Sequence, residues 1–259
     1  MGAYTSYRPI RFNWKQYFPP AVRWLILINC GVFVGLHLVG LFGLPEVERT
    51  TFLWFGLIPY SVVQGLKLWQ PATYLFLHAG TMHLLVNMLT LWMFGCDLER
   101  VWGARRFLSY YFLTGIGAGV CVILVNVIPQ LWGHTAVPAV TVGASGAIYG
   151  ILMANALLFP DRAVWLILPP VRLPMRIFVL MWGALAFFGS LEGAESGISH
   201  IAHLGGLLVG YLYLRRGSFF FRARNQWTDW KQRRLRRKFE VYMKERRNEP
   251  PNPPGGWVH

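Results

Sequence analysis

Long apolar segments separated by shorter polar stretches dominate the pattern of residues along this 259-residue chain. A helix needs about 20 mostly apolar residues to cross roughly 30 Å of hydrocarbon, and six segments approach that length. They lie at residues 22–44, 79–97, 106–128, 144–159, 177–191 and 198–214, and two of them are short enough to depend on their neighbours. This pattern predicts an all-α polytopic membrane protein with six transmembrane helices.

The same segments divide the chain into three predicted parts. Residues 1–21 form an N-terminal segment, residues 22–214 form the six-helix membrane domain, and residues 215–259 form a basic tail. The first apolar segment should remain as a helix, because no small-x-small cleavage site is followed by a soluble domain. The tail contains a stretch, 228–247, that is interpreted either as a basic amphipathic helix attracted to anionic lipid or as a solvated run of charge. The proline-rich stretch 248–257 should be disordered.

Two connections between the predicted helices are unusual. Residues 45–78 form a long external loop rich in aromatic residues, which favour the level of the lipid headgroups. This loop is either a compact structure lying partly in the interface or an ordinary packed loop. The apolar stretch 163–170 ends in two prolines, so it is predicted to be an interfacial cytoplasmic connector, with the fifth helix starting near Ile177.

Composition agrees with a membrane protein, and the positions of the charges indicate its orientation. The chain is 54% hydrophobic and 14% charged, with a mean hydropathy of +0.38. A net charge of +14 would suggest nucleic acid binding in a soluble protein. Here the basic residues instead cluster before the first apolar segment, between the second and third, and between the fourth and fifth, whereas 129–143 has none. By the positive-inside rule both termini are cytoplasmic, and no nucleic acid partner is predicted.

The three cysteines do not indicate a cross-link or a metal site. Cys30, Cys96 and Cys121 all lie inside apolar segments, where a thiol behaves as a small hydrophobic group. No disulfide and no metal is therefore predicted.

Polar residues inside the apolar segments indicate a candidate site. The second, fourth and sixth predicted helices run from outside to inside, so residues near their N-terminal ends lie at similar depth. These residues are His83 and Asn87, which share a helix face at a spacing of four, together with Ser145 and His203. A polar residue within the bilayer is costly and by default marks a functional site.

The chemistry of these four residues favours nucleophilic catalysis. Serine is a weak nucleophile until a base takes its proton, and histidine titrates in the right range. No acidic residue lies in the outer part of these helices, so the sequence predicts a Ser145–His203 pair without an acid. His83, Asn87 and the Ser145 amide are suited to stabilise a tetrahedral oxyanion.

Glycines near the candidate nucleophile suggest a close approach of two helices. On its own, the spacing of Gly146 and Gly150 indicates helix packing more than catalysis. Gly205 and Gly206 follow His203, so the two backbones can lie close enough for the imidazole to reach the hydroxyl. Tyr149, one turn after Ser145, could support the ring by stacking.

Together these residues resemble the rhomboid intramembrane serine proteases over nearly all of residues 20–215. The matching motifs are Gly143-Ala144-Ser145-Gly146, Ala202-His203-Leu204-Gly205-Gly206 followed by Gly210, His83-Leu84-Leu85-Val86-Asn87, and Glu99 with Gly103 after it. The resemblance implies a six-helix bundle around a water-accessible cavity that opens to the outside. It also implies that Ser145 is the nucleophile, that His203 is the general base stacked on Tyr149, and that the oxyanion hole is formed by His83, Asn87 and the Ser145 amide.

The resemblance leaves some assignments open. The family's first external loop commonly carries Trp-Arg, but this chain has Gln70 after Trp69, which leaves the bracing of the loop unexplained. His200 is a rival base because it lies three residues before His203. His78 competes with His83 but has no asparagine four residues further on. Phe187 and Phe188 either gate lateral substrate entry or simply face lipid.

Two functions follow from the resemblance. The first is an intramembrane serine endopeptidase that cleaves single-span membrane proteins, needs no metal or cofactor, and resides in a bacterial inner membrane with its site open to the periplasmic side. The alternative is a non-proteolytic relative that binds membrane clients. A channel or transporter has little support, since the sequence contains no internal repeat and no paired charges within the bilayer.

Overall fold

The computed structural model describes residues 18–132, 140–166, 170–191 and 200–215, and the single residue 239. Within these ranges the chain is mostly helical. The described α-helices are α1 Pro20–Leu41, α2 Pro45–Phe55, α3 Pro59–Val63, α4 Gln70–Thr73, α5 Thr81–Thr90, α6 Cys96–Trp102, α7 Ala104–Val127, α8 Ser145–Leu158, α9 Met175–Leu191 and α10 His200–Arg215. Shorter 3-10 helices lie at Tyr74–Phe76 and Ile128–Trp132, and a π-helical turn at Leu91–Gly95 joins α5 to α6.

Several predictions fall outside the described residues. They concern residues 1–17 of the N-terminal segment, the connections at 133–139 and 192–199, residues 167–169 of the predicted connector, and nearly all of the basic tail. The proposed amphipathic helix at 228–247 and the disorder at 248–257 therefore stay predictions.

Helix length separates the described helices into two groups. The helices α1, with 22 residues, and α7, with 24, are long and apolar enough to cross a membrane by themselves. A third span would combine Gln70–Phe76 with Thr81–Trp102, which are bent by 96° at the break between them. The apolar helix α8 has only 14 residues, so it rises about 21 Å. Length and composition thus give two or three spans, and the count of six stays a prediction.

The first predicted helix, 22–44, ends three residues earlier than predicted, at a turn. In the structure α1 ends at Leu41, and Gly43 adopts a φ of +78°, the left-handed conformation that often ends a helix. Pro45 then begins α2, at a position where its missing N–H costs no hydrogen bond. The predicted loop 45–78 therefore contains three α-helices, α2, α3 and α4, and the 3-10 helix Tyr74–Phe76.

The predicted connector after α8 forms a β-hairpin. Strand β1, Ala163–Leu166, pairs antiparallel with β2, Val171–Pro174. Two backbone hydrogen bonds close the base of the hairpin onto the end of α8, since Met175 donates to Arg162 and Arg176 donates to Pro160. Helix α9 therefore starts at Met175, two residues before the predicted start.

The centre of the fold is α8, which is buried along most of its length. Both α7 and α10 pack along it. A side chain at Gly206 of α10 would collide with the carbonyl of Gly146 on α8. A Cβ at Gly210 would lie 3.3 Å from the Cα of Gly150. Because glycine has no side chain, the backbones of α8 and α10 can come into direct contact at these positions. Small residues promote helix association in membranes in this way.

A buried carboxylate fixes the start of α1. The two oxygens of Glu99, on α6, accept hydrogen bonds from the backbone N–H groups of Ala21 at 2.9 Å and Val22 at 2.8 Å. These are two of the N–H groups that a helix cannot pair internally. An anion at a helix N-terminus also interacts favourably with the helix dipole. Glu99 thereby ties α1 to α6.

The 45–78 region is braced by Gln70, which follows Trp69 where the resemblance would place an arginine. Its Nε2 donates to the carbonyls of Leu53 at 3.2 Å and Trp54 at 3.3 Å, and its Oε1 accepts the N–H of Ile58 at 3.0 Å. Gln70 is completely buried. Because the carbonyls at the end of a helix have no partner within it, this amide completes the C-terminal end of α2.

Candidate active site

Ser145 is the first residue of α8, where the helix leaves its backbone N–H groups unpaired. Two residues earlier, Gly143 has a φ of +119°, a conformation that L side chains rarely adopt. The N–H of Gly143 donates to the carbonyl of Tyr74 at 2.9 Å. This bond ties the entry to α8 to the 45–78 region.

Gly143 also makes room for an imidazole. A Cβ at this position would lie 2.8 Å from both Cε1 and Nε2 of His83. The edge of the His83 ring therefore lies against the backbone just before Ser145. Gly143 thus serves two needs, the backbone conformation and the space for His83.

The hydroxyl of Ser145 and the ring of His203 are in hydrogen-bond contact. His203 Nε2 lies 2.8 Å from Ser145 Oγ, across the interface between α10 and α8. The His203 ring is buried, and it stacks on Tyr149 with 4.3 Å between ring centroids and 4° between planes. The other ring nitrogen, Nδ1, has no hydrogen-bond partner within the described ranges. Within the described ranges, the orientation of this imidazole therefore comes from its contact with Ser145, from stacking and from packing.

His83 and Asn87 approach the site from α5. The side-chain amide of Asn87 donates to the carbonyl of His83 at 2.7 Å, and Asn87 is buried. His83 Nδ1 accepts the N–H of Ala79 at 3.4 Å. The structure thus places His83 beside the Gly143 backbone, with Asn87 one turn further along the same helix.

The two rival histidines occupy different environments. The ring of His200 meets that of His203 edge-on at 5.8 Å, and a Cβ at Gly189 of α9 would lie 2.6 Å from the His200 ring. His78 is buried and meets the His83 ring edge-on at 5.2 Å. The imidazole that reaches Ser145 Oγ is that of His203.

The remaining predicted residues have structural surroundings that fit their size. A Cβ at Gly146 would lie 2.8 Å from Cβ of Ala118, and one at Gly205 would lie 3.1 Å from Cα of Ala118. These glycines let α7, α8 and α10 meet beside the Ser–His pair. Phe187 and Phe188 on α9 are exposed and pack edge-on against each other at 5.6 Å.

Sequence reasoning missed Tyr74 as a component of the site. Its Oη donates to the carbonyl of Gly115 on α7 at 2.7 Å, and its carbonyl accepts the N–H of Gly143. A Cβ at Gly146 would lie 2.9 Å from Tyr74 Oη. This contact joins a predicted loop to two helices, and nothing in the local sequence signals it. Within the described ranges, no group of three or more His, Cys, Asp or Glu side chains could bind a metal ion.

The apolar helical fold and the buried serine–histidine contact define a membrane protein with a candidate hydrolase site. Residues 65–218 match the family model described as the Rhomboid domain. The chain therefore belongs to the rhomboid family of intramembrane proteases, and it is an integral membrane protein.

Three relatives show how far the similarity extends. Rhomboid protein 1, mitochondrial, of Saccharomyces cerevisiae is 30% identical over 198 residues, which is 76% of this chain and 54% of the relative. Rhomboid protease GluP of Bacillus subtilis is 29% identical over 70% of this chain and 33% of its own length. Rhomboid protease AarA of Providencia stuartii is 28% identical over 73% of this chain and 69% of its own length. The chain thus spans about half the length of the yeast relative and a third of GluP.

Proposed function

We propose that this protein is an intramembrane serine endopeptidase. The observation that carries the proposal is the 2.8 Å contact between Ser145 Oγ and His203 Nε2 inside a bundle of apolar helices. A hydroxyl in contact with a buried imidazole is the arrangement that activates a serine nucleophile. Membership of a family that includes the proteases GluP and AarA supports the same conclusion.

In the proposed mechanism, Ser145 Oγ attacks the carbonyl carbon of the scissile peptide bond while His203 Nε2 takes the hydroxyl proton. The oxyanion is stabilised by the Ser145 N–H, which is unpaired at the start of α8, and by the side chains of His83 and Asn87. Collapse of the tetrahedral intermediate breaks the C–N bond, and His203 gives the proton to the leaving amine. Water then attacks the acyl-enzyme by the same route, with His203 again acting as base and then as acid. Tyr149 keeps the ring in place through both halves.

The proposed substrates are single-span membrane proteins, and the proposed topology has six spans with both termini in the cytoplasm. Ser145 lies at the end of α8 opposite Arg162, Arg172 and Arg176, which lie in and beside the hairpin. Their positions support a site that opens to the external or periplasmic side. The exposed pair Phe187 and Phe188 on α9 is the proposed lateral gate. The relatives include mitochondrial, chloroplastic and bacterial proteins, and the bacterial inner membrane is the proposed location.

The test compares purified wild type with Ser145→Ala on a generic transmembrane substrate in detergent. We expect wild type to cleave the substrate and to be labelled by a fluorophosphonate, and Ser145→Ala to do neither. Ser109→Ala is the matched control, since Ser109 is an exposed serine of α7 whose hydroxyl bonds to the carbonyl of Arg105. Equal cleavage by Ser145→Ala would refute the assignment. A folded wild type that neither cleaves nor reacts would instead favour a non-proteolytic protein that binds membrane clients.

A further inference from the structure

The segment that carries His83 and Asn87 ends in the π-helical turn Leu91–Gly95, which joins α5 to α6. Such turns are rare inside α-helices and frequently lie at functional sites. The outer face of α5 is exposed at Met82, Leu85, Val86 and Leu89. The π-helical turn packs more extensively on α8 than α5 itself does. The place of His83 and Asn87 beside Ser145 therefore depends on how the π-helical turn is held against α8.

Three neighbouring helices contact the π-helical turn. The Phe94 ring stacks on Phe178 of α9, with 5.6 Å between ring centroids. A Cβ at Gly95 would lie 3.2 Å from Cγ2 of Val22 on α1. The contact with α8 includes a hydrogen bond, because Asn155 Nδ2 donates to the carbonyl of Phe94 at 3.2 Å. Apolar packing has no preferred direction, whereas a hydrogen bond weakens steeply as its angle departs from linear. Asn155 therefore supplies a directional contact between the turn and α8.

Asn155 is a costly residue for the interior of a membrane protein. It is completely buried, and its Oδ1 has no hydrogen-bond partner within the described ranges. A buried polar group without a partner destabilises the folded state, and a polar side chain among membrane helices by default marks a functional site. Besides the bond to Phe94, its Nδ2 donates to the carbonyl of Ile151 in the same helix at 2.9 Å. The bond to Phe94 is the one that reaches another element.

Asn29 on α1 shows what such an asparagine does without that bond. It is also completely buried, its Nδ2 donates to the carbonyl of Leu25 at 2.8 Å, and its Oδ1 has no partner within the described ranges. The local bond spans four residues in both cases. In the part of the chain that the structure describes, the two side chains therefore differ in the bond from Asn155 to Phe94.

We propose that Asn155 is a positioning residue for the oxyanion hole. By holding the Phe94 carbonyl it fixes the end of α5 against α8, and so sets the distance from His83 and Asn87 to Ser145. Asn155 does not touch the reacting atoms, since it lies ten residues after Ser145, about 15 Å along α8. The inference rests on the proposed function of Ser145.

The test compares wild type with Asn155→Leu and with the matched control Asn29→Leu, all as full-length protein in detergent. Both substitutions remove an amide that has the same local bond and the same unpaired oxygen, and Asn155→Leu also removes the bond to the π-helical turn. Three properties are measured. They are kcat and KM for a generic transmembrane substrate, the thermal unfolding midpoint, and the rate of amide hydrogen exchange in α5.

We expect Asn155→Leu to lower kcat about 10-fold to 100-fold with little change in KM. Oxyanion donors act mainly in the transition state, and a misplacement of about 1 Å that originates far from the chemistry can lower the rate about 100-fold. Amide exchange in α5 should be faster than in wild type. Asn29→Leu should leave kcat, KM and this exchange at their wild-type values. The unfolding midpoint should shift alike in both variants, since each also loses an unpaired buried oxygen.

Equal kcat in wild type and Asn155→Leu would overturn the proposal, as would an equal loss of kcat in Asn29→Leu or a loss without faster exchange in α5. A large fall in the unfolding midpoint of Asn155→Leu alone would assign Asn155 a merely structural role. If wild type does not cleave the substrate, the proposed function fails, and the exchange rates still test whether Asn155 holds α5. If Asn155→Leu does not fold, Asn155→Thr decides, because threonine keeps a bond to Ile151 but is too short to reach Phe94.

Discussion

The proposed base for Ser145 is His203, because its imidazole contacts the Ser145 hydroxyl. His203 Nε2 lies 2.8 Å from Ser145 Oγ, whereas the His200 ring packs toward Gly189 of α9. We expect His203→Ala to lose fluorophosphonate labelling and to cleave about 10²–10⁴-fold more slowly, the usual contribution of a general base. His200→Ala is the same change one turn earlier and should retain both activities. Labelling that survives His203→Ala and disappears in His200→Ala would assign the base to His200.

Gly143 is the second residue at which a substitution tests the candidate site. Alanine there must adopt a φ of +119° and must also push the His83 ring aside. The backbone strain alone is worth about 1–3 kcal/mol, so we expect Gly143→Ala to lower the thermal unfolding midpoint and to impair cleavage. Gly80→Ala is the control, because Gly80 has extended backbone and a Cβ there meets nothing within 4 Å. Wild-type cleavage by Gly143→Ala would contradict the placement of His83 in the site.

The sequence allows some of these residues to be chosen in advance and hides others. Ser145 and His203 stand out because polar side chains in apolar segments are rare and because glycines accompany both. The charges between the helices predict the direction of each helix. Helix direction then predicts that Ser145 and His203 lie at similar depth, and therefore close together. Tyr74 does not stand out, because an aromatic residue in an aromatic-rich loop has no distinctive pattern. Its role depends on a contact with Gly115, which lies 41 positions away in the chain.

At the scale of elements, Gln70 shows how a loop can be braced without the arginine that is usual in the family. Gln70→Glu keeps an oxygen for the N–H of Ile58 but replaces the donor to Leu53 and Trp54 with a carboxylate that faces their carbonyls. Each carbonyl keeps a second donor, Lys67 Nζ at 3.3 Å for Leu53 and Trp69 Nε1 at 2.8 Å for Trp54. The cost therefore comes from the buried carboxyl oxygen that faces them without a donor, about 1–3 kcal/mol and more if it is charged. We therefore expect a clear fall in the unfolding midpoint of Gln70→Glu.

The exposed Gln64 provides the matched control for this prediction. Gln64→Glu makes the same chemical change at a solvent-exposed position six residues earlier, so its unfolding midpoint should stay close to that of wild type. An equal fall in both variants would mean that added negative charge, and not the loss of the donor, weakens the 45–78 region.

Elements whose shape depends on distant contacts were the least predictable. The apolar pattern predicts long helices, and α7 is such a helix. The helices of the 45–78 region are short and depend on side chains such as Gln70 to complete their ends.

The hairpin at 163–174 consists of four-residue strands, too short for alternation to be recognised in an apolar stretch. The π-helical turn is stabilised by Asn155 of α8, whose amide donates to the carbonyl of Phe94 at 3.2 Å.

At the scale of the whole molecule, the short helix α8 connects two ends with different chemistry. Its first residue is Ser145, and its C-terminal end is followed by Arg162 and the hairpin. A 14-residue helix does not reach across roughly 30 Å of hydrocarbon. If α8 is one of the six predicted spans, one of its ends lies at membrane depth and must be covered by protein or face water. Ser145 lies at the end that α10 and the 45–78 region contact, so on the six-span topology the end within the membrane is the one with the candidate nucleophile.

This arrangement makes the orientation of the protein a sharp prediction. If the basic connections face the cytoplasm, the hairpin is inside the cell and the 45–78 region is outside. The test uses full-length protein in which Cys30, Cys96 and Cys121 are replaced by alanine and one cysteine is added. Gln64→Cys and Asp161→Cys both place that thiol at an exposed position, on opposite sides of the proposed membrane. A membrane-impermeant maleimide should label Gln64→Cys in intact cells and Asp161→Cys only after permeabilisation. The reverse pattern would place Ser145 near the cytoplasmic surface, and equal labelling of both in intact cells would exclude the proposed spans between them.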